Sequence, residues 1–181
     1  MLCPVCKKHT METAELAPGL SGLQCTACAG TWIPRSNYDA WRARLPAGMQ
    51  EINTPAQIGN TEARQGKLCP QCGHLLLPYK VGHGLSFAID YCSACGGVWF
   101  DRGEWEAILG KNLHGNLHDI VTTHWQAAVR ETELQETVEK TYQRLLGPTY
   151  AKTCEIRSWL HAQPQRDLIL ACLKDEKTKA K

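Results

Sequence analysis

The chain has 181 residues, room for one or two domains, and a formal net charge of +2. Its longest apolar runs, such as Leu168–Leu173, are too short to span a bilayer, and no strongly basic balance marks it for nucleic acid or an anionic surface. The outlier is cysteine, ten residues in all. Cys3 lies too close to the start for a cleavable signal peptide to precede it, so a reducing, cytoplasmic setting is expected. There, metal binding fits better than disulfides.

In chain order, Cys3-Pro-Val-Cys6 comes first, and Cys25-Thr-Ala-Cys28 follows after eighteen residues. Between them Pro18-Gly19-Leu20-Ser21-Gly22 supplies the turn of a β-hairpin. After the second knuckle, Ser36 with Asp39 can cap a short helix carrying Tyr38 and Trp41. Residues 1–44 thus form one unit, and 45–66, rich in Pro, Gly, Gln and Asn, read as a linker. Nothing in that linker fixes the two halves relative to each other.

Residues 67–110 repeat the first unit. Cys69-Pro-Gln-Cys72 precedes a strand over Leu75–Lys80, a turn at Gly82-His83-Gly84, and a strand in which Phe87, Ile89 and Tyr91 form one apolar face. Cys92-Ser-Ala-Cys95 closes the hairpin. Asp101, Glu104 and Gly110 then read as the cap, the capping box and the end of a short helix. The copies align beyond the cysteines, with Trp32 over Trp99 and Arg35 over Arg102.

Residues 111–174 are expected to be helical, a hairpin or small bundle. Leu117, Ile120, Val121, Trp125 and Ala128 share one face, continued by Leu134, Val138, Tyr142 and Leu145. Gly147-Pro148 and Gln163-Pro164 divide the region into three helices, and 175–181 form a charged tail.

Two knuckles can present four thiolates tetrahedrally, the geometry Zn²⁺ prefers. Cys3, Cys6, Cys25 and Cys28 are assigned to one zinc, and Cys69, Cys72, Cys92 and Cys95 to a second. Eight thiolates and two Zn²⁺ move the formal charge from +2 to −2, which removes any argument from basicity. Units this small need the metal to fold. Gly30, Gly73, Gly96 and Gly97 suit the turning of backbone N–H groups toward sulfur. Four cysteines close each site, so no metal-assisted catalysis is expected. His114 and His118 lack the intervening Glu of a protease helix and read as surface or capping residues; Cys154 and Cys172 read as buried apolar positions. Trp32 and Trp99 are expected to pack on their own knuckles. Arg35, Trp41, Phe100, Arg102 and Trp105 are the candidates for a partner or nucleic-acid surface.

These residues resemble the transcription factor IIB-type zinc-ribbon family, whose members read Cys-Pro-x-Cys, a hairpin, then Cys-x-x-Cys-x-Gly-x-Trp-hydrophobic-Asp-x-Gly-Glu. Cys69, Pro70, Cys72, Cys92, Cys95, Gly97, Trp99, Phe100, Asp101, Gly103 and Glu104 match it. The first copy keeps Cys3, Pro4, Cys6, Cys25, Cys28, Gly30, Trp32 and Ile33, and departs at Pro34, Ser36 and Asn37. The resemblance implies zinc and a link to transcription.

The expectation is a small metal-stabilised α+β protein: two four-cysteine zinc ribbons, each a β-hairpin plus a short helix, and an α-helical C-terminal region. Its expected role is that of a non-enzymatic adaptor docking onto a protein partner, without membrane or small-molecule substrate. The alternatives are a nucleic-acid-binding transcription factor and a zinc- or redox-responsive regulator. The C-terminal helices can also join two copies of the chain.

Overall fold

A computed structural model describes residues 1–45 and 66–175. The linker thus falls outside the described residues except for Leu45 and Gly66, and so does the tail after Asp175. The chain forms two compact units, Met1–Arg130 and Glu131–Lys181. The fold is of the expected small α+β class.

The first unit is built on one six-stranded antiparallel sheet. Its strands are β1 (Met11–Ala17), β2 (Leu20–Cys25), β3 (Thr31–Ile33), β4 (Leu77–Gly82), β5 (Leu85–Tyr91) and β6 (Val98–Phe100). Each ribbon supplies three, in the order β1-β2-β3-β6-β5-β4. The join is the pairing of β3 with β6, in the register Thr31↔Phe100, Trp32↔Trp99 and Ile33↔Val98. Where the linker sequence fixes nothing, this ladder locks the two ribbons into one sheet related by a pseudo-two-fold at Trp32–Trp99.

The two faces of the sheet separate by the period-two rule of strands. Ile33, Val98 and Phe100 point to a helix-covered core with Leu20, Val81, Phe87 and Ile89. Trp32 and Trp99 point the other way, to a core shared with Cys3, Cys25, Cys69 and Cys92. Ala88 and Asp90 are buried as well as Phe87 and Ile89, so β5 is covered on both faces rather than one.

The helices covering the first face are α1 (Arg35–Arg42), α2 (Glu104–Gly110), α3 (Leu117–Ile120) and the start of α4 (Thr123–Leu146). Neither short helix is capped as expected. α1 starts at Arg35 with Pro34 as its N-cap and no side-chain cap bond; the Asn37 N–H donates to the Pro34 carbonyl at 3.1 Å instead. Gly103, not Asp101, is the N-cap of α2. Half of the capping box exists all the same, since the Asp101 N–H donates to Glu104 Oε2 at 2.9 Å.

The first unit runs on to Arg130, past the boundary expected at 110. Leu117 and Ile120 are buried in the ribbon core. The helix expected from Asn116 breaks at Val121–Thr122, where the Thr122 hydroxyl donates to the Asp119 carbonyl and accepts the Trp125 N–H. α4 then covers the edge strand β4. The Gln126 amide accepts from the Lys80 N–H and donates to its carbonyl, copying a strand partner, and Trp125 Nε1 donates to the Val81 carbonyl. Pro78 has no N–H to offer on the same strand, so this edge is closed to further pairing.

The second unit holds the rest of α4, α5 (Tyr150–His161) and α6 (Arg166–Lys174), joined at Gly147-Pro148 and near Pro164 as the sequence indicated. Cys154 is half-buried and Cys172 exposed, not buried as expected. Helices this short carry too little apolar surface to enclose a side chain completely.

The two tryptophans do not pack as expected on their own knuckles alone. A methyl at Gly97 would lie 2.1 Å from Cζ2 of Trp32, and one at Gly30 would lie 2.2 Å from Cζ2 of Trp99. Each indole thus fills the space left by the glycine of the other ribbon. Gly97→Ala should push Trp32 aside and destabilise the first unit by about 1–3 kcal/mol, the usual range for overpacking a tight core. A thermal melt followed by Trp fluorescence measures this; a variant as stable as the parent would contradict the exchange.

Candidate metal centres

In each ribbon the first knuckle lies at the foot of the first strand and the second knuckle follows the second strand. All four knuckles share one backbone form. The residue after the second cysteine has positive φ: Lys7 at 57°, Ala29 at 56°, Gly73 at 76° and Gly96 at 73°. Its N–H donates to the carbonyl of the first cysteine, at 2.8–2.9 Å in every case. The second copy meets this demand with glycine, whereas the first tolerates side chains at a cost of about 1 kcal/mol each. Gly30 and Gly97 do not have positive φ; they serve the tryptophan exchange instead.

The chain thereby brings Cys3, Cys6, Cys25 and Cys28 together, and likewise Cys69, Cys72, Cys92 and Cys95. Within each set all sulfurs lie within 4.8 Å of one another. The shorter separations are 3.6 Å for Cys3–Cys28, 4.0 Å for Cys6–Cys25, 3.6 Å for Cys69–Cys95 and 3.4 Å for Cys72–Cys92. A tetrahedron of sulfurs about 2.3 Å from a central zinc has edges of about 3.8 Å, so the donor sets fit Zn²⁺. They do not fit disulfides, whose sulfurs lie about 2.0 Å apart. Backbone N–H groups of Cys6 and Gln71 point at the sulfurs of Cys3 and Cys69, at 3.3 and 3.4 Å, which stabilises thiolate.

The sulfurs are unequal as acids. Burial pushes the thiols of Cys3, Cys28, Cys69 and Cys95 up. Burial acts on Cys25 and Cys92 too, but the backbone N–H groups of their own knuckles and the adjacent thiols outweigh it and bring both to about 7. A divalent cation is what lets all four ionise together. With four cysteines, each centre is coordinatively closed, and Zn²⁺ serves there as a structural ion.

Two closed four-cysteine centres on β-hairpins define a tandem zinc-ribbon protein. Residues 2–44 and 68–111 each match the model of the transcription factor zinc-finger family, so the chain carries two tandem copies of that family's ribbon and binds two structural zinc ions. No curated protein and no solved structure matches the chain. Among the described residues no helix is long and apolar enough to cross a membrane.

The residues assigned to a binding surface separate into two groups. Trp41, Phe100 and Trp105 are buried and do not present a surface. Their polar atoms are used internally: Trp41 Nε1 donates to the Pro18 carbonyl, and Trp105 Nε1, from the second ribbon, to the Leu16 carbonyl of the first. Trp41, Phe100 and Trp105 stack edge to face in one cluster. Trp41 on α1 and Trp105 on α2 lie on the inner faces of short helices packed on the sheet, and Phe100 lies on β6 beneath them. Arg35 and Arg102 are exposed. Arg35 pairs with Asp39 at 3.2 Å, and its stem lies over Gly96 of the other ribbon. Arg102 makes no ion pair among the described residues. His114, expected at the surface, is buried beside Trp41, and its carbonyl accepts the Tyr38 hydroxyl. His118 meets Asp39 at 2.6 Å and ties α3 to α1.

A polar network beside the second centre escaped the sequence reading. Lys67 donates to Asp90 and Asp101 at 2.6 Å each, and Asp101 also accepts Trp99 Nε1 at 2.8 Å. In the first ribbon Pro34 stands where Asp101 would be, and Trp32 Nε1 is buried with no hydrogen-bond partner among the described residues. The family's acidic residue thus anchors its tryptophan, and the degenerate copy has lost that anchor.

Glu104 is buried behind this network, with Oε1 unpartnered among the described residues. Burial, partly offset by the Asp101 N–H, lifts its carboxyl from the ordinary 4.5 to about 7. Its folded pKa exceeds the unfolded one, so the folded state holds the proton more tightly. Stability falls as pH rises between about 4.5 and about 7, by on the order of 3 kcal/mol over the whole window. Glu104→Gln keeps the acceptor for Asp101 and removes the titration. Denaturant melts from pH 5 to pH 8 should show wild type losing stability relative to the variant as pH rises, on top of the pH dependence both share through the thiolates; parallel curves would contradict it.

Proposed function

We propose that the protein is a non-enzymatic adaptor that docks onto a protein partner in transcription through the knuckle ends of its fused ribbons. The observation that carries this reading is the apolar exposure there. Leu2 and Val5 beside the first centre and Leu68 and Leu75 beside the second are all exposed. Leu2 and Leu68 occupy equivalent positions, bridging to Thr10 and Leu75 respectively. Paired, exposed apolar side chains on rigid metal-fixed loops suit contact with protein. The closed centres give zinc a structural part and leave no coordination position for a substrate. The family description supports transcription as the setting.

Direct nucleic-acid binding is the second reading. It loses support from the burial of Trp32, Trp41, Trp99, Phe100 and Trp105, the ribbon aromatics whose positions suggested stacking on bases. It keeps Arg35, Arg102 and the Lys7–Lys8 pair as phosphate contacts.

The test has two arms on zinc-loaded protein. The adaptor reading expects measurable binding to purified RNA polymerase core enzyme, weakened about tenfold or more by Leu68→Asp with Leu75→Asp while two zinc ions stay bound. It expects little anisotropy change with labelled DNA or RNA at physiological salt. Tight nucleic-acid binding that weakens steeply with salt, and falls with Arg102→Ala, would favour the second reading instead.

A further inference from the structure

The two centres share one ligand pattern but not one degree of cover. Among the eight ligands Cys72 alone is exposed; Cys3, Cys25, Cys69 and Cys92 are buried, and Cys6, Cys28 and Cys95 are half-buried. The difference lies in the first knuckle of each ribbon. Pro4 is buried, whereas Pro70 at the equivalent position is half-buried. Lys7 follows Cys6 and adopts its positive φ with a full side chain, whereas Gly73 follows Cys72. A methyl placed at Gly73 would meet no atom within 4 Å. Cys72 therefore stands beside open space, and the matching residue in the first centre carries a lysine side chain.

Next to the exposed sulfur lies a buried one. The Sγ atoms of Cys72 and Cys92 are 3.4 Å apart, and Cys92 is buried. A disulfide needs about 2.0 Å, so the pair has about 1.4 Å to close. Sulfur held by zinc is thiolate, the nucleophilic form, and peroxide reacts with thiolates that it can reach. A second thiolate within reach captures the first oxidation product before it oxidises further. The second centre has both parts, and the first has no exposed sulfur.

We infer that Cys72 is a peroxide-reactive modification site, and that the second centre is oxidised and loses its metal ahead of the first. The Cys72 thiolate attacks one oxygen of hydrogen peroxide; an S–O bond forms, the O–O bond breaks and hydroxide leaves, giving the sulfenic acid. The Cys92 thiolate attacks that sulfur; the S–S bond forms, the S–O bond breaks and a second hydroxide leaves. The two sulfurs have lost two electrons, the peroxide has gained them, and two protons from solvent turn the hydroxides into water. Cys69 and Cys95 alone do not complete a tetrahedral site, so the ion is lost and the loop from Leu68 to Leu75 is unfastened. The first centre keeps its zinc.

The test treats the zinc-loaded full chain with excess hydrogen peroxide at neutral pH and follows released zinc with a metal-binding dye, the dye alone giving the baseline. Cys154 and Cys172 lie outside both centres, so the zinc signal does not register their oxidation. One equivalent should appear about tenfold or more faster than the second. Peptide mapping at the end of the fast phase should find a Cys72–Cys92 disulfide with Cys3, Cys6, Cys25 and Cys28 still reduced. Two further chains exchange the cover without touching a ligand. Gly73→Lys should slow the fast phase about threefold or more, and Lys7→Gly should speed the slow one by a similar factor. Should Gly73→Lys fail to hold two zinc ions, Lys7→Gly and the wild-type mapping decide. Two equivalents released at one rate would overturn the proposal. So would zinc retained under excess peroxide, a first disulfide that lacks Cys72, or release from the first centre unchanged by Lys7→Gly.

Discussion

Everything in the first unit depends on holding four thiolates within a few ångströms of one another, twice. Such a group repels itself unless a cation sits among it, and each ribbon is too small to impose the arrangement by apolar burial alone. Zinc turns the difficulty into an anchor. Once the sulfurs are fixed, the knuckles hold the ends of each hairpin, and buried cysteines become one wall of a core completed by Trp32 and Trp99. Metal binding and folding are therefore one event here, and the metal's work is architectural.

The second constraint is reciprocal. Each ribbon offers a three-residue strand, a tryptophan and a glycine, and each tryptophan fits over the other ribbon's glycine. Neither strand has a complete pairing without the other. The duplication thus yields an internal dimer, with the pseudo-two-fold running between Trp32 and Trp99. The halves have since diverged. The second keeps Asp101 and Glu104 and adds Lys67, which together anchor Trp99 and bury a carboxyl of raised pKa. The first replaces them with Pro34 and Asn37. Asn37 instead binds Ser21 on the adjacent strand, so the position still ties helix to sheet but by a neutral contact.

How much of this was legible depends on the range of each interaction. The eight ligands, the hairpins and the breaks at Gly147 and Pro164 are written in local spacing and are readable there. The union of the two ribbons is not. β3 and β6 are too short to show a periodicity, and identical offsets in both copies make a tryptophan over its own knuckle indistinguishable in sequence from one over the other. The aromatics of α1 and α2 look exposed in sequence because motif position says nothing about cover; that cover comes from α3 and the start of α4, about 75 residues downstream of α1. Lys67 cannot be linked to Asp90 and Asp101 without the sheet that brings them together.

The most direct measurement is zinc-edge X-ray absorption on the purified full chain, combined with metal quantification. Two zinc ions per chain are expected, each with four sulfur neighbours at about 2.3 Å. One zinc per chain, or nitrogen or oxygen bound directly to the metal, would contradict the assignment.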